Sequence, residues 1–201
     1  KVLRSIRTMS GRTLVRGQYA GYRSEKGVDP ESNVETFAAM QLHLDSWRWS
    51  GVPFFVRTGK RLNTTATEVL VELKPPPHSV FAEHIDGNPN YFRFHLGPDQ
   101  VSIAVGARAK KPGAKMVGEE LELYVCNSSE EEMSAYERLI GDALSGDPTL
   151  FTREDAVLEA WRIVDPLLTL SSAPDLYEPG SHGPASAAWL GQLHPPNVAQ
   201  A

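Results

Sequence analysis

Along much of the chain apolar and polar side chains alternate with a period of two, the mark of strands that cover one face. Over Glu35–Asp45, Ala38, Met40, Leu42 and Leu44 fall on one side, with Gln41 and His43 on the other. Over Ala66–Lys74, Thr67, Val69, Val71 and Leu73 oppose Glu68, Leu70, Glu72 and Lys74. Phe92, Phe94 and Leu96 oppose Tyr91, Arg93 and His95. The turn-forming run Gly97-Pro98-Asp99-Gln100 then leads into another apolar face of Val101, Ile103, Val105 and Ala107. Leu121, Leu123 and Val125 repeat the pattern within Glu119–Cys126. Strands with one apolar face predict an antiparallel sheet, because parallel sheets are buried on both sides.

After Asn127 the period changes. Ser134 and Glu137 have capping-box spacing, and Tyr136, Leu139, Ile140, Ala143 and Leu144 follow as a helical stripe, read as core packing, that Gly146 would stop. A second helix is predicted from Thr152, with Val157, Trp161, Val164 and Leu168 on its buried stripe and Pro166 kinking or ending it. Lys1–Thr8 reads as the end of a helix, Gly21–Asn33 as an exposed loop, and the Pro-, Gly- and Ser-rich tail after Leu170 as an irregular surface segment. The fold class expected is α+β: a large, mostly antiparallel sheet with a few helices packed on one face.

Composition narrows the function without identifying it. The 201 residues are 41% hydrophobic and 22% charged, the balance of a globular domain, and no apolar run has the length of a membrane span. A net charge of −5 argues against nucleic acid as the partner. Cys126 is the single cysteine, so no internal disulfide forms, as fits a reducing compartment. No secretory signal is visible, and the chain begins with Lys1 rather than Met, which leaves room for a preceding segment. The histidines show no metal-ligand spacing, and no Gly-x-Gly-x-x-Gly dinucleotide turn or Gly-x-x-x-x-Gly-Lys loop occurs.

The residues that hint at chemistry lie in Trp49–Lys60, where an apolar strand runs into Thr58-Gly59 and a tight turn would present Lys60 to an anionic or hydroxyl-rich ligand. Taken alone, a strand-end lysine is more simply read as solvated. Lys110-Lys111-Pro112-Gly113 reads as a solubilising hairpin tip, and Glu130-Glu131-Glu132 as a complement to the following helix dipole.

Several separated segments resemble glucose-6-phosphate dehydrogenases. They are Val15-Arg16-Gly17-Gln18-Tyr19, Glu35-Thr36-Phe37-Ala38-Ala39, Arg48-Trp49-Ser50-Gly51-Val52-Pro53-Phe54 leading into Arg57-Thr58-Gly59-Lys60, and Ala135-Tyr136-Glu137-Arg138-Leu139-Ile140. Ala160-Trp161-Arg162-Ile163-Val164-Asp165-Pro166 and the tail Tyr177-Glu178-Pro179-Gly180-Ser181-His182-Gly183-Pro184 continue the series in the family's order. The resemblance implies a parent enzyme of the oxidative pentose phosphate pathway. Such an enzyme oxidises glucose 6-phosphate to 6-phosphogluconolactone and reduces NADP in the cytoplasm. It implies that residues 1–201 are the carboxy-terminal, substrate-side and dimerisation domain, without the Rossmann domain that binds NADP. The catalytic base would lie upstream, so this piece alone is expected to be inactive.

Lys60 matches the family's Arg-x-Gly-Lys lysine and is thereby implied to contact the sugar phosphate. Two positions depart from the family pattern. Thr65 stands where many members carry a second basic residue, a role the neighbouring Arg61 would have to fill, and Gly97 replaces a polar side chain. Dimerisation, or a dimer of dimers, is implied through the sheet, with the polar face of Tyr91, Arg93, His95, Glu120, Glu122 and Tyr124 as the contact surface. A non-enzymatic dimerisation or regulatory module derived from the same domain is the competing reading.

Overall fold

The computed structural model describes residues 1–75, 77–78, 89–97, 101–113, 118–127, 134–170 and 172–190. The expected turn residues Pro98, Asp99 and Gln100 and the acidic run Glu130-Glu131-Glu132 lie outside them. The chain divides into two compact units, Lys1–Thr64 with Met133–Ala201, and Thr65–Glu132. The α+β expectation holds, with the strands distributed over two four-stranded sheets, one in each unit.

In the first unit, β1 (Leu14–Tyr19), β2 (Phe37–His43) and β3 (Pro53–Gly59) pair antiparallel, and the short β8 (Asp175–Tyr177) joins β1 in parallel. The order is β3-β2-β1-β8. This sheet is covered on both faces. Leu14, Met40, Leu42 and Phe54 pack on one face with Ile6, Met9, Leu44, Ile163 and Leu167. Phe37 and Ala39 pack on the other with Tyr19, Tyr177 and Ala187. The alternation in β2 therefore separates two cores rather than a core from solvent. Phe37 and Ala39 read as members of a polar side only because their face carries Gln41 and His43 further along.

The helices are α1 (Ala135–Ser145) and α2 (Glu154–Leu168). Ser134 Oγ accepts from the Glu137 amide at 3.2 Å, and Gly146, at φ 73°, closes α1 with its amide on the Ala143 carbonyl. The predicted helical spacing is right but the predicted burial is not, since Tyr136, Ile140 and Leu144 are exposed in this chain. In α2 the buried residues are Ile163 and Leu167 instead of Val157, Trp161 and Leu168. The difference follows from which side of the helix the amino-terminal segment reaches. Arg162 donates to the carbonyls of Leu3 and Ile6, and the Met9 amide donates to the Ile163 carbonyl. Pro166 falls in the last turn, where its missing amide removes one bond as the helix ends at Leu168.

The described part of the tail, residues 172–190, forms defined elements rather than an irregular segment. It contributes β8, a 3-10 helix over Ala185–Leu190, and the buried residues Tyr177, Pro184 and Ala187. Lys1–Thr8 forms a single 3-10 turn, Leu3–Ser5, before Ile6 bridges to Leu44.

The second unit is an antiparallel meander of β4 (Glu68–Glu72), β5 (Tyr91–Leu96), β6 (Val101–Lys110) and β7 (Gly118–Asn127). Its register aligns two apolar rows across all four strands: Val69, Phe94, Ile103 and Val125, then Val71, Phe92, Val105 and Leu123. Most of this face is exposed, from 37% at Phe92 to 77% at Val125. The opposite, polar face is the better buried one. Arg93 is 8% exposed and pairs with Glu122, which also accepts from the Tyr91 hydroxyl at 2.6 Å. Tyr91 lies flat over Gly106, where a Cβ would come within 2.1 Å of the ring. Burial, and then the Glu122 carboxylate, push the Tyr91 hydroxyl up to about 12.

Candidate functional site

The strand β3 ends where the sequence predicted, and Lys60 follows it with an exposed side chain. Its backbone is held on both sides. The Lys60 amide donates to the Thr36 carbonyl at 2.8 Å, and the Lys60 carbonyl accepts from the Tyr177 hydroxyl at 2.7 Å. The residue before it must be glycine, because a Cβ on Gly59 would sit 2.8 Å from Cδ2 of Phe37, itself only 1% exposed. The residue after it, Arg61, has φ 50°, a left-handed conformation that a non-glycine residue adopts at a cost.

That cost is offset by contacts. The Arg61 guanidinium bonds Glu25 at 2.7 Å and lies 5.2 Å from the Tyr19 ring centroid, and the Arg61 carbonyl accepts from the Gly180 amide. Arg61 is thus engaged in an ion pair with Glu25, whereas the role of second cation would need its guanidinium turned toward the ligand. Among the described residues no ion pair engages the Lys60 ammonium. Burial, followed by the Glu25 carboxylate, raises the Tyr19 hydroxyl above its usual value, while Arg61 opposes the rise.

Under the turn lies a cluster of aromatic rings, Tyr19, Phe37 and Tyr177, with Phe37 and Tyr177 centroids 5.6 Å apart. Gly183 seals it. At φ 105° its Cα lies so close to the Phe37 ring that a Cβ would come within 2.4 Å of Cε2. The bridge between Leu62 and Ser181 and the bond from the Asn63 amide to the Ser181 carbonyl complete the pairing of the turn with the tail.

The loop Gly21–Asn33 is exposed yet tied down from β1. Gln18, 1% exposed, donates to the carbonyls of Ser32 and Val34, and Arg16 bonds Asn33 and Glu35. Burial pushes the Glu35 carboxyl up, but the Arg16 hydrogen bond and the backbone amide outweigh it and leave the group lowered.

The other sequence candidates lie elsewhere. A shallow groove of about 540 Å³ bordered by Arg7, His43, Ser46 and Trp47 opens at the start of β3, the end opposite Lys60. Lys110 turns its ammonium onto the Gly113 carbonyl at 2.7 Å, as a self-contained hairpin tip would. Gly97 has φ 118°, so glycine there answers a backbone requirement of this chain. Among the described residues no group of histidine, cysteine, aspartate or glutamate side chains could hold a metal ion. No helix among them is long and apolar enough to cross a membrane.

This turn-and-tail architecture can be set beside known proteins. A family model described as glucose-6-phosphate dehydrogenase, C-terminal domain, matches residues 1–194. The chain belongs to the glucose-6-phosphate dehydrogenase C-terminal domain family. The glucose-6-phosphate 1-dehydrogenase of Aggregatibacter actinomycetemcomitans is 39% identical over 207 residues, covering 93% of this chain and 41% of the relative. The crystal structure of glucose-6-phosphate 1-dehydrogenase from Mycobacterium avium matches with a TM-score of 0.84 at 36% identity, over 94% of this chain and 40% of that one. A glucose-6-phosphate dehydrogenase in complex with its substrate glucose-6-phosphate matches with a TM-score of 0.80 at 27% identity, over 94% of this chain and 42% of that one. This glucose-6-phosphate dehydrogenase C-terminal domain therefore spans about two fifths of the length of the relatives it matches.

The strand-end position of Lys60 was legible in the sequence, but the residues that fix its backbone were not. Thr36, Tyr19 and Tyr177 each lie in a segment that carried the family resemblance. The signal was present as three separate motifs, with nothing along the chain to say that they meet.

Proposed function

We propose that this chain is the substrate-side domain of an NADP-dependent glucose-6-phosphate dehydrogenase, the parent enzyme oxidising glucose 6-phosphate to 6-phosphogluconolactone. The observation that carries the reading is Lys60: a lone exposed ammonium on a turn fixed by an interlocked glycine, a strained arginine and a buried tyrosine. Strain of this kind persists where the surroundings over-determine it, and it concentrates at ligand sites. The role assigned to Lys60 is to donate to the oxygens of the sugar phosphate and neutralise part of its charge.

Family membership supports NADP as the coenzyme, and its binding is assigned to polypeptide outside this chain, because the 201 residues contain no dinucleotide turn. The single cysteine suits a cytoplasmic setting. Self-association belongs to the same reading, with a second copy covering the two apolar rows of the second sheet. Contiguous exposed apolar surface of that kind marks an interface. The polar face is the weaker choice, since Arg93, Glu122 and Tyr91 already satisfy one another.

The test is Lys60→Ala in the full-length polypeptide, followed by reduction of NADP. A charge-assisted hydrogen bond contributes about 1.5–3 kcal/mol, so KM for glucose 6-phosphate should rise on the order of tenfold to a hundredfold. The phosphate does not change charge as the anomeric carbon is oxidised, so kcat should change little. An unchanged KM would remove Lys60 from the substrate site.

A further inference from the structure

We infer that Tyr177 is a positioning residue for Lys60, acting through a directed hydrogen-bond relay from β1 to the Lys60 carbonyl. The inference rests on the assignment of Lys60 to the substrate made above. The direction of the relay follows from chemistry. A backbone amide only donates, so Thr36 Oγ1 accepts from the Tyr19 amide at 2.9 Å. A carbonyl only accepts, so the Tyr177 hydroxyl directs its one proton to the carbonyls it faces, that of Lys60 at 2.7 Å and, at the longer 3.3 Å, that of Thr36. The remaining contact, 3.1 Å between Thr36 Oγ1 and the Tyr177 hydroxyl, then has Thr36 as donor. Each hydroxyl accepts once and donates once, and the sequence of bonds has a single consistent orientation.

The hydroxyl of Tyr177 is not explained by packing. Its ring, 4% exposed and set against Phe37 and Tyr19, would fill the same space as phenylalanine. Nor can it meet the substrate itself at that burial. What the hydroxyl adds is a fixed donor whose shorter bond goes to the peptide of the residue whose side chain is to bind. Thr36 acts twice on that peptide, through its hydroxyl in the relay and through its carbonyl, which receives the Lys60 amide at 2.8 Å. Without the relay the carbonyl of Lys60 loses its donor and the turn gains freedom. The ammonium then samples positions away from the phosphate. The loss falls on binding rather than on the reacting carbon.

The experiment compares Lys60→Ala, Tyr177→Phe and the double variant in the full-length dehydrogenase, measuring KM for glucose 6-phosphate, kcat, KM for NADP and Tm. A neutral hydrogen bond is worth a rise of about twofold to tenfold in KM, so Tyr177→Phe should raise KM for glucose 6-phosphate by that much. It should leave kcat and KM for NADP within about twofold. In the Lys60→Ala background the same change should add nothing, because the relay then has no ammonium to place. Independent, multiplicative effects of the two changes, or no effect of Tyr177→Phe where Lys60→Ala raises KM, would overturn the positioning role. No effect of Lys60→Ala would instead remove the substrate assignment, and the positioning role with it. If Tyr177→Phe fails to fold, Thr36→Val against Thr36→Ser carries the test. Valine should raise KM as the relay breaks, and serine, which keeps the hydroxyl, should restore it; equal KM values for the two would overturn the inference.

Discussion

Gly183 offers a prediction whose size can be worked out from the geometry. Replacing it with alanine imposes two penalties. At φ 105° an L side chain is strained, which costs about 1–3 kcal/mol. The new Cβ would also sit 2.4 Å from Cε2 of Phe37, a ring only 1% exposed that Gly59 also approaches closely. Overpacking of this kind costs about 1–3 kcal/mol more. Gly180 is the built-in control. It too has positive φ, at 80°, but nothing lies within 4 Å of its would-be Cβ, so Gly180→Ala incurs strain alone. The assay is urea unfolding of the two variants and the parent chain, followed by circular dichroism. With m near 1–3 kcal/mol/M, Gly183→Ala should have a midpoint about 1 M below that of Gly180→Ala, with m unchanged. Coincident midpoints would mean that Phe37 does not occupy the space described, and the account of why Gly59 and Gly183 flank it would fall.

Two further outcomes concern the second sheet. Glu122→Gln should bring Tyr91 down from about 12 toward 10, though not fully, since burial remains the larger cause; the difference in tyrosinate absorbance against pH between the parent and the variant, each compared with its Tyr91→Phe counterpart, reads this among the six tyrosines. The sign for stability follows. A hydroxyl whose folded value is raised stabilises the fold below about pH 10 and loses that contribution as pH rises through about 12, and the loss should be smaller in the variant. Ile103→Lys, in the middle of an apolar row, should shift the mass by light scattering at tens of micromolar from dimer toward monomer; a monomeric parent chain would refute the interface.

Much of the fold could be read from periodicity because strands and helices impose their own spacing on the residues that serve them. β6 and β7 announce themselves through Val101, Ile103, Val105, Leu121, Leu123 and Val125. What periodicity cannot carry is which face is covered, since that depends on elements far away in the chain. Hence Phe37 and Ala39 hid on a face that seemed polar, and the apolar stripe of α1 was read as core although it is exposed here. The tail was misjudged for a related reason. Its Pro, Gly and Ser content signals the absence of helix, and within Tyr177–Pro184 one of those small residues, Gly183, serves instead to bring backbone close to the Phe37 ring. The site divides the same way. Lys60 stands out as an exposed cation at a strand end, whereas Thr36 and Tyr177 hold a neighbour's backbone, which leaves no trace in local pattern.

The parallel pairing of β8 with β1 has a consequence for the order in which the molecule is made. Tyr177 is 117 residues later in the chain than the carbonyl it holds and 141 later than Thr36. Contacts so distant in sequence close slowly, after local ones. On the ribosome the meander of the second unit is complete before the lysine turn, which waits for β8 to emerge. A chain cut short after α2 would keep every strand of the meander yet lose the Tyr177 bond to the Lys60 carbonyl, so a stop codon before β8 acts on a turn 117 residues upstream.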